Sequence, residues 1–264
     1  MNENVNNAAG KTWALSSLPG GAEQGNVYDV INPANQQVFA RVPDCGKADA
    51  QRMADASVLA FDAWKQTTAF ARSQLLRKWF DRIVLGAQEI AQAISQEMGK
   101  PVQEAVGEVM YAAGFAEWYA EEAKRAYGRV LVRPTGQRAM VLKQPVGPVA
   151  VFTPWNFPVY MLAKKLAPAL AAGCSVIAKP AEECPASSSA LMRCLLDAGV
   201  PANAAQLVFG VPDMISRTLI ASPIIRKISF TGSAAVGKQL MRLAADGLKR
   251  ITMELGGHAP VLVF

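Results

Sequence analysis

Apolar positions change their period several times along the chain. Residues 25–42 alternate apolar and polar in the manner of strands, with turn chemistry at Asn32-Pro33 and around Pro43-Asp44. From about residue 47 to 127 the spacing becomes helical. Met53, Ala56, Ala60, Ala63 and Trp64 fall on one face of a first helix, with Asp49 as its expected cap. Further helices are predicted over 72–86, 87–98 and 102 to about 127, with Gly99-Lys100-Pro101 as the break before the last. Residues 128–145 return to alternation around Pro134-Thr135-Gly136, the pattern of a hairpin.

Beyond Pro145 short apolar runs alternate with helical segments. Strands are predicted at 149–153, 175–178, 206–209, 227–230, 250–253 and 261–264, and helices at 159–172, 186–198, 214–221 and 235–246. Such alternation predicts an α/β fold, a Rossmann-like doubly wound parallel sheet with helices on both faces. It is preceded by a helical region and the hairpin arm. The expected divisions are residues 1–127 (strands and helices packed on the sheet part), 128–146 (the hairpin) and 147–264 (the parallel sheet).

Composition narrows the class. At 264 residues and 51% hydrophobic content the chain can bury a sizeable core. The net charge of +6 comes from scattered basic residues, which is no nucleic-acid footprint. The apolar stretch 166–178 is too short to span a bilayer and contains Pro168 and Gly173. The polar first dozen residues carry no basic-then-apolar leader pattern, so a cytoplasmic protein without a membrane partner is expected. Cys45, Cys174, Cys184 and Cys194 form no CxxC and no zinc-like spacing, which predicts buried, reduced thiols and no metal.

Ligands of an open parallel sheet sit beyond the carboxyl ends of its strands. There the chain places Pro154-Trp155-Asn156-Phe157-Pro158, Lys179-Pro180-Ala181-Glu182, Thr231-Gly232-Ser233 and Glu254-Leu255-Gly256-Gly257. The 230–238 segment joins a strand to a helix N-terminus, a ready anion site. Gly232, Gly237 and Lys238 nearly fit a P-loop, but Gln239 stands where a hydroxyl should hold magnesium, and no G-x-G-x-x-G is present. A phosphate cradle and a turn that merely packs both remain open on this pattern.

In order and spacing these four segments resemble signatures of the aldehyde dehydrogenase superfamily, and the likeness runs from about Tyr28 to the last residue. The run Glu117-Trp118-Tyr119-Ala120-Glu121-Glu122-Ala123-Lys124-Arg125 and the segment Leu142-Lys143-Gln144-Pro145 are most similar to the succinate-semialdehyde dehydrogenase branch. The resemblance implies NAD(P)-dependent oxidation of an aldehyde, of the succinate-semialdehyde or a related ω-carboxy type. A cysteine thiolate attacks, hydride passes to the nicotinamide, and water hydrolyses the thioester.

Residue by residue, it implies that Asn156 donates its amide to the oxyanion and that Glu254 is the general base. Lys179 and Glu182 would hold the adenosine ribose. A carboxylate there favours NAD, with NADP the alternative. Gly232 and Ser233 would approach the pyrophosphate, and Trp155 would line the pocket or simply pack. Thr153, Pro154, Gly210, Thr231 and Leu255 complete the implied cofactor-binding set. Lys164 stands where semialdehyde enzymes commonly carry an arginine for the substrate carboxylate, and a solvated helix lysine is the plain alternative. His258, where many members have lysine, reads as a loop residue. The resemblance places the nucleophilic cysteine a few dozen residues past Glu254, so these 264 residues are expected to bind cofactor without oxidising aldehydes. It also implies a homodimer or homotetramer for the full-length form, built partly through the hairpin. The other readings are a non-catalytic dinucleotide-binding protein and a P-loop-like nucleotide hydrolase.

Overall fold

A computed structural model of the chain describes the backbone of Trp13–Ala14 and residues 27–264; the polar first dozen residues and the start of the strand-like run at Gly25 lie outside the described residues. Strands β1 (Trp13–Ala14), β2 (Val27–Ile31) and β3 (Val38–Pro43) form a small sheet in the order β1-β3-β2. Four helices follow: α1 (Lys47–Trp64), α2 (Ala69–Leu85), α3 (Ala87–Met98) and α4 (Val102–Ala123). The hairpin is β4 (Arg129–Leu131) paired antiparallel with β5 (Ala139–Val141).

Then comes β6 (Val149–Phe152), α5 (Pro158–Ala171), β7 (Val176–Lys179), α6 (Pro185–Asp197), β8 (Ala205–Leu207), α7 (Pro212–Ala221), β9 (Lys227–Gly232), α8 (Ala234–Ala245) and β10 (Arg250–Leu255). These strands form one parallel sheet in the order β10-β9-β6-β7-β8. Strand order reverses direction between β6 and β9, and a crevice at such a switch point is where doubly wound sheets take ligands.

Alternation along the buried strands divides the core into two layers. Val149, Val151, Val176 and Ala178 pack with Leu162, Leu166 and Leu170 of α5 and Leu191 and Leu195 of α6. Ala150, Phe152, Ile177, Ile228 and Phe230 face the other way, against Ile215 and Leu219 of α7, Leu240 of α8 and Met53 of α1. The first layer continues outward into α2, α3 and α4. A stripe of Ala105, Ala112, Ala116, Ala120 and Ala123 lets α4 approach its neighbours closely. The buried indoles of Trp64 and Trp79 donate to the carbonyls of Leu170 and Leu191, at 3.1 and 3.3 Å, so both polar edges are satisfied.

Several boundaries differ from the sequence expectation. Asp49 is not the N-cap of α1. Gly46 is, and the Asp49 carboxylate reaches back to accept from its N–H at 2.7 Å. Helix α2 starts at Ala69 rather than residue 72, because the Thr68 hydroxyl accepts from Ala71 N at 3.1 Å and caps it. Helix α4 stops at Ala123, short of residue 127, and β8 lies earlier than 206–209. The strand expected at 261–264 does not form. A strand exists by pairing, and among the described residues none pairs with this segment, so Val261, Leu262, Val263 and Phe264 stand exposed. No described helix is long and apolar enough to cross a membrane.

Candidate active site

Register fixes which residues stand level at the carboxyl edge of the sheet. Phe152 pairs with Lys179 on one side and Phe230 on the other, and Thr231 pairs with Glu254. Thr153, Thr231 and Glu254 therefore stand one position further out along adjacent strands. The hydroxyls of Thr153 and Thr231 are buried with no hydrogen-bond partner. Such orphans are costly unless something polar comes to them.

Beside them is a cavity of about 330 Å³ lined by Thr153, Pro154, Trp155, Lys179, Glu182 and Asp213, among others. That volume is at the lower end of small-molecule sites, which run from about 300 to 1,000 Å³. Lys179 is only 5% exposed, so it is no mere surface charge; its ammonium sits 2.5 Å from Glu182 Oε2. Glu183 and Asp213 add two more carboxylates to the lining. Ser233 caps α8, its hydroxyl accepting from Val236 N at 3.4 Å. The donor set, a helix N-terminus with an ammonium, carboxylates and free hydroxyls, fits the phosphates and sugar hydroxyls of a dinucleotide.

The glycines of the 230–238 turn sit in close packing. A Cβ on Gly237 would lie 2.6 Å from Leu255 Cδ2, and one on Gly232 would lie 2.4 Å from the Phe230 ring. Neither has a positive φ, and the Gln239 amide donates to Asp213 Oδ1 at 3.1 Å. This is a close-packed turn with a capped helix, without the curled backbone of a P-loop. Leu255 thus serves as a packing partner of α8. Gly210 does not line the cavity near Lys179. It borders a second cavity with Tyr28, Glu97 and Glu182, where its φ of +140° and its close approach to the Cys45 carbonyl require glycine.

Glu254 and Lys164 line a third cavity of about 430 Å³, together with Lys165, Cys174 and Lys227. Lys164 Nζ is 2.7 Å from Glu254 Oε2, and this bond holds the Lys164 ammonium above its ordinary range. Lys165, whose Nζ donates to Ser229 Oγ at 3.0 Å, is pushed down to about 8 by burial. Asn156 is exposed and lines neither cavity, and its carbonyl accepts from Lys100 Nζ at 2.9 Å. His258 is an exposed loop residue. Among the described residues no group of three or more His, Cys, Asp or Glu side chains is placed to hold a metal ion.

Sequence reasoning missed Lys100, Glu108 and Lys165. Lys100 was absorbed into a helix break, and Glu108 looks like any helix carboxylate. Lys100 and Glu108 pair with each other eight residues apart, but the groups they hold around Asn156 and Val159 lie about fifty residues further on, so no local spacing announces the role.

The aldehyde dehydrogenase family model matches residues 21–264. The chain belongs to that family. A succinate semialdehyde dehydrogenase of Acinetobacter baylyi is 45% identical over 92% of this chain and 50% of its own length. An NADP(+)-named succinate-semialdehyde dehydrogenase of Escherichia coli is 43% identical over 92% of this chain and 51% of its own. The crystal structure of a succinate-semialdehyde dehydrogenase from Burkholderia pseudomallei superimposes with a TM-score of 0.88 at 42% identity, covering 96% of this chain and 51% of that one. A Staphylococcus aureus betaine aldehyde dehydrogenase in complex with NAD+ gives 0.85 at 31% identity, covering 88% and 47%. The chain thus spans about half the length of the relatives it matches.

Proposed function

We propose that this chain is the cofactor-binding part of an NAD(P)-dependent aldehyde dehydrogenase acting on succinate semialdehyde or a similar ω-carboxy aldehyde. The observation that carries the reading is the edge of the parallel sheet. There an exposed amide (Asn156), a paired carboxylate (Glu254), the Lys179–Glu182 pair and two orphan hydroxyls gather at the strand-order switch.

In this reading Lys179, Glu182, Ser233, Thr153 and Thr231 hold the dinucleotide, and NAD is preferred because carboxylates line the cavity. The bound nicotinamide supplies the hydride acceptor. Asn156 donates its carboxamide N–H to oxygen as negative charge builds there. Glu254 accepts the proton of the attacking thiol or water. Among the described residues Lys164 is the cation paired with Glu254, so an incoming ω-carboxylate takes its place on Lys164 and releases the base for proton transfer. The hairpin 128–146 is the assembly arm of a homodimer or homotetramer, consistent with the exposed Val130, Val132, Met140 and Leu142 along it.

These 264 residues alone bind cofactor without turnover. Burial pushes the Cys174 and Cys184 thiols up and raises Cys194 to about 11, so none of these three supplies a thiolate near neutral pH. The test is calorimetric titration of the purified chain with NAD and NADP, together with an absorbance assay for reduced cofactor on succinate semialdehyde. Binding without reduction is expected. Absence of binding overturns the cofactor assignment, and steady reduction overturns the inactivity.

A further inference from the structure

Asn156 has a problem that its loop alone does not solve. Its side chain is exposed, and among the described residues nothing bonds its carboxamide, so its direction depends wholly on the backbone beneath it. A preorganised donor must be held within about 0.5 Å of its working position. Something has to hold that backbone.

We propose that Lys100 and Glu108 are positioning residues for Asn156, clamping the loop that carries it at both ends. The proposal rests on the reading of Asn156 as an oxyanion donor. Glu108, on the second turn of α4, uses its two oxygens differently. Oε1 accepts from Val159 N at 3.0 Å and Tyr160 N at 3.2 Å, two amides in the first turn of α5 that the helix itself leaves unpaired. Oε2 takes the Lys100 ammonium at 2.5 Å. That ammonium also donates to the Asn156 carbonyl at 2.9 Å and stands 3.9 Å from the centre of the Phe157 ring. Residues 156, 157, 159 and 160 are therefore all tied to one ion pair.

The pair is itself rigidly mounted. Lys100 sits between Gly99, the left-handed C-cap of α3, and Pro101, the N-cap of α4. The side chains of Lys100 and Glu108 are 9% and 1% exposed. Burying an ion pair is a poor way to gain stability, since apolar residues of similar volume commonly do as well or better. What apolar residues cannot do is grip a carbonyl at one end of a loop and two amides at the other. The clamp exchanges folding energy for a fixed loop.

The test is nuclear magnetic resonance of the isotope-labelled full chain, comparing wild type with K100M and with K100M/E108L. The double variant removes both charges together and so guards against misfolding caused by a lone buried charge. In both variants the Asn156 side-chain amide signals are expected to shift and broaden. In the double variant the Val159 and Tyr160 amides exchange faster by about tenfold or more, while amides of β6 and β7 keep their rates. Unmoved Asn156 signals in the double variant overturn the proposal. So does an equal rise in exchange throughout the chain, because the pair would then be ordinary structural support. Titration of the same samples with NAD separates the two questions. Wild type that takes up no cofactor counts against the proposed function, whereas altered Asn156 signals with cofactor uptake intact support the clamp.

Discussion

Lys164 Nζ lies 2.7 Å from Glu254 Oε2, tying α5 to the carboxyl end of β10 across 90 residues of sequence. With side chains 29% and 38% exposed, the pair is partly open to water and its net contribution is modest. The bond to Glu254 raises Lys164 above the lysine value of 10.5, and burial opposes it. A raised folded pKa gives stability that is complete below the unfolded value and is lost as pH rises through the folded one. The loss therefore falls only above about pH 10.5. E254Q is expected to return Lys164 towards its ordinary range, read by nitrogen-15 titration of Nζ. An unchanged titration would mean that the pair does not persist in solution.

How much of this was legible in the sequence follows from range. The alternation of apolar runs and helices beyond Pro145 named the parallel sheet, because both faces of its strands are buried and each helix repeats its own pattern. The strand-end segments holding Asn156, Lys179, Ser233 and Glu254 stood out because polar groups cluster where strands stop. Cap details failed at Asp49 and Thr68, where one side-chain oxygen decides the boundary. The segment 261–264 failed because strand propensity is local while pairing is not. The steric constraint on Gly210 is the Cys45 backbone, more than 160 residues earlier in sequence, which no local pattern announces. The Lys164–Glu254 pair and the Lys100 contact to the Asn156 carbonyl are tertiary facts that no motif carries.

Glu97 makes the pH dependence of folding testable. Its carboxylate accepts from Ala186 N and, at 3.0 Å, from Ser187 N at the start of α6, which favours the charged form. Full burial favours the neutral form more strongly and pushes the group up to about 8 from 4.5. The folded state then holds a proton that the unfolded state has released. Stability from this group is complete below about 4.5 and falls as pH rises towards 8. E97Q is expected to flatten this slope, which amounts to a few kcal/mol on the order of 1.4 per unit. Urea midpoints at pH 6 and pH 8.5 check it, and an E97Q slope equal to wild type would refute the assignment.

Two glycine substitutions should behave oppositely. At Gly210 a Cβ would meet the Cys45 carbonyl oxygen at 2.5 Å, with φ at +140°, so neither neighbour nor backbone can yield. G210A is expected to cost about 2 kcal/mol or more. At Gly237 the obstacle is the tip of Leu255, 2.6 Å away, and a flexible tip can move. Alanine also favours the helix by about 0.8–1 kcal/mol, so G237A should stay within about 1 kcal/mol of wild type. Denaturant unfolding of both variants measures the contrast, and equal costs would contradict it.

Cofactor choice is the last consequence of the cavity beside Lys179. Glu182, Glu183 and Asp213 all line it, but their engagements differ. Asp213 is held by the Arg217 guanidinium, with contacts of 2.9 and 2.8 Å, and by Gln239. Among the described residues the Glu182 side chain pairs with the Lys179 ammonium alone, and it stays 41% exposed. Under the proposed function, its free oxygen would accept from sugar hydroxyls and repel a phosphate in their place. E182Q removes the repulsion and leaves Lys179 free to meet an anion. The ratio of NADP to NAD affinity is expected to rise about tenfold, roughly 1.4 kcal/mol. D213N should change it less, because Arg217 already neutralises that carboxylate. Calorimetric titration of the three proteins with both cofactors decides the matter. If E182Q leaves the ratio untouched, the ribose lies elsewhere and the lining carboxylates do not select the cofactor.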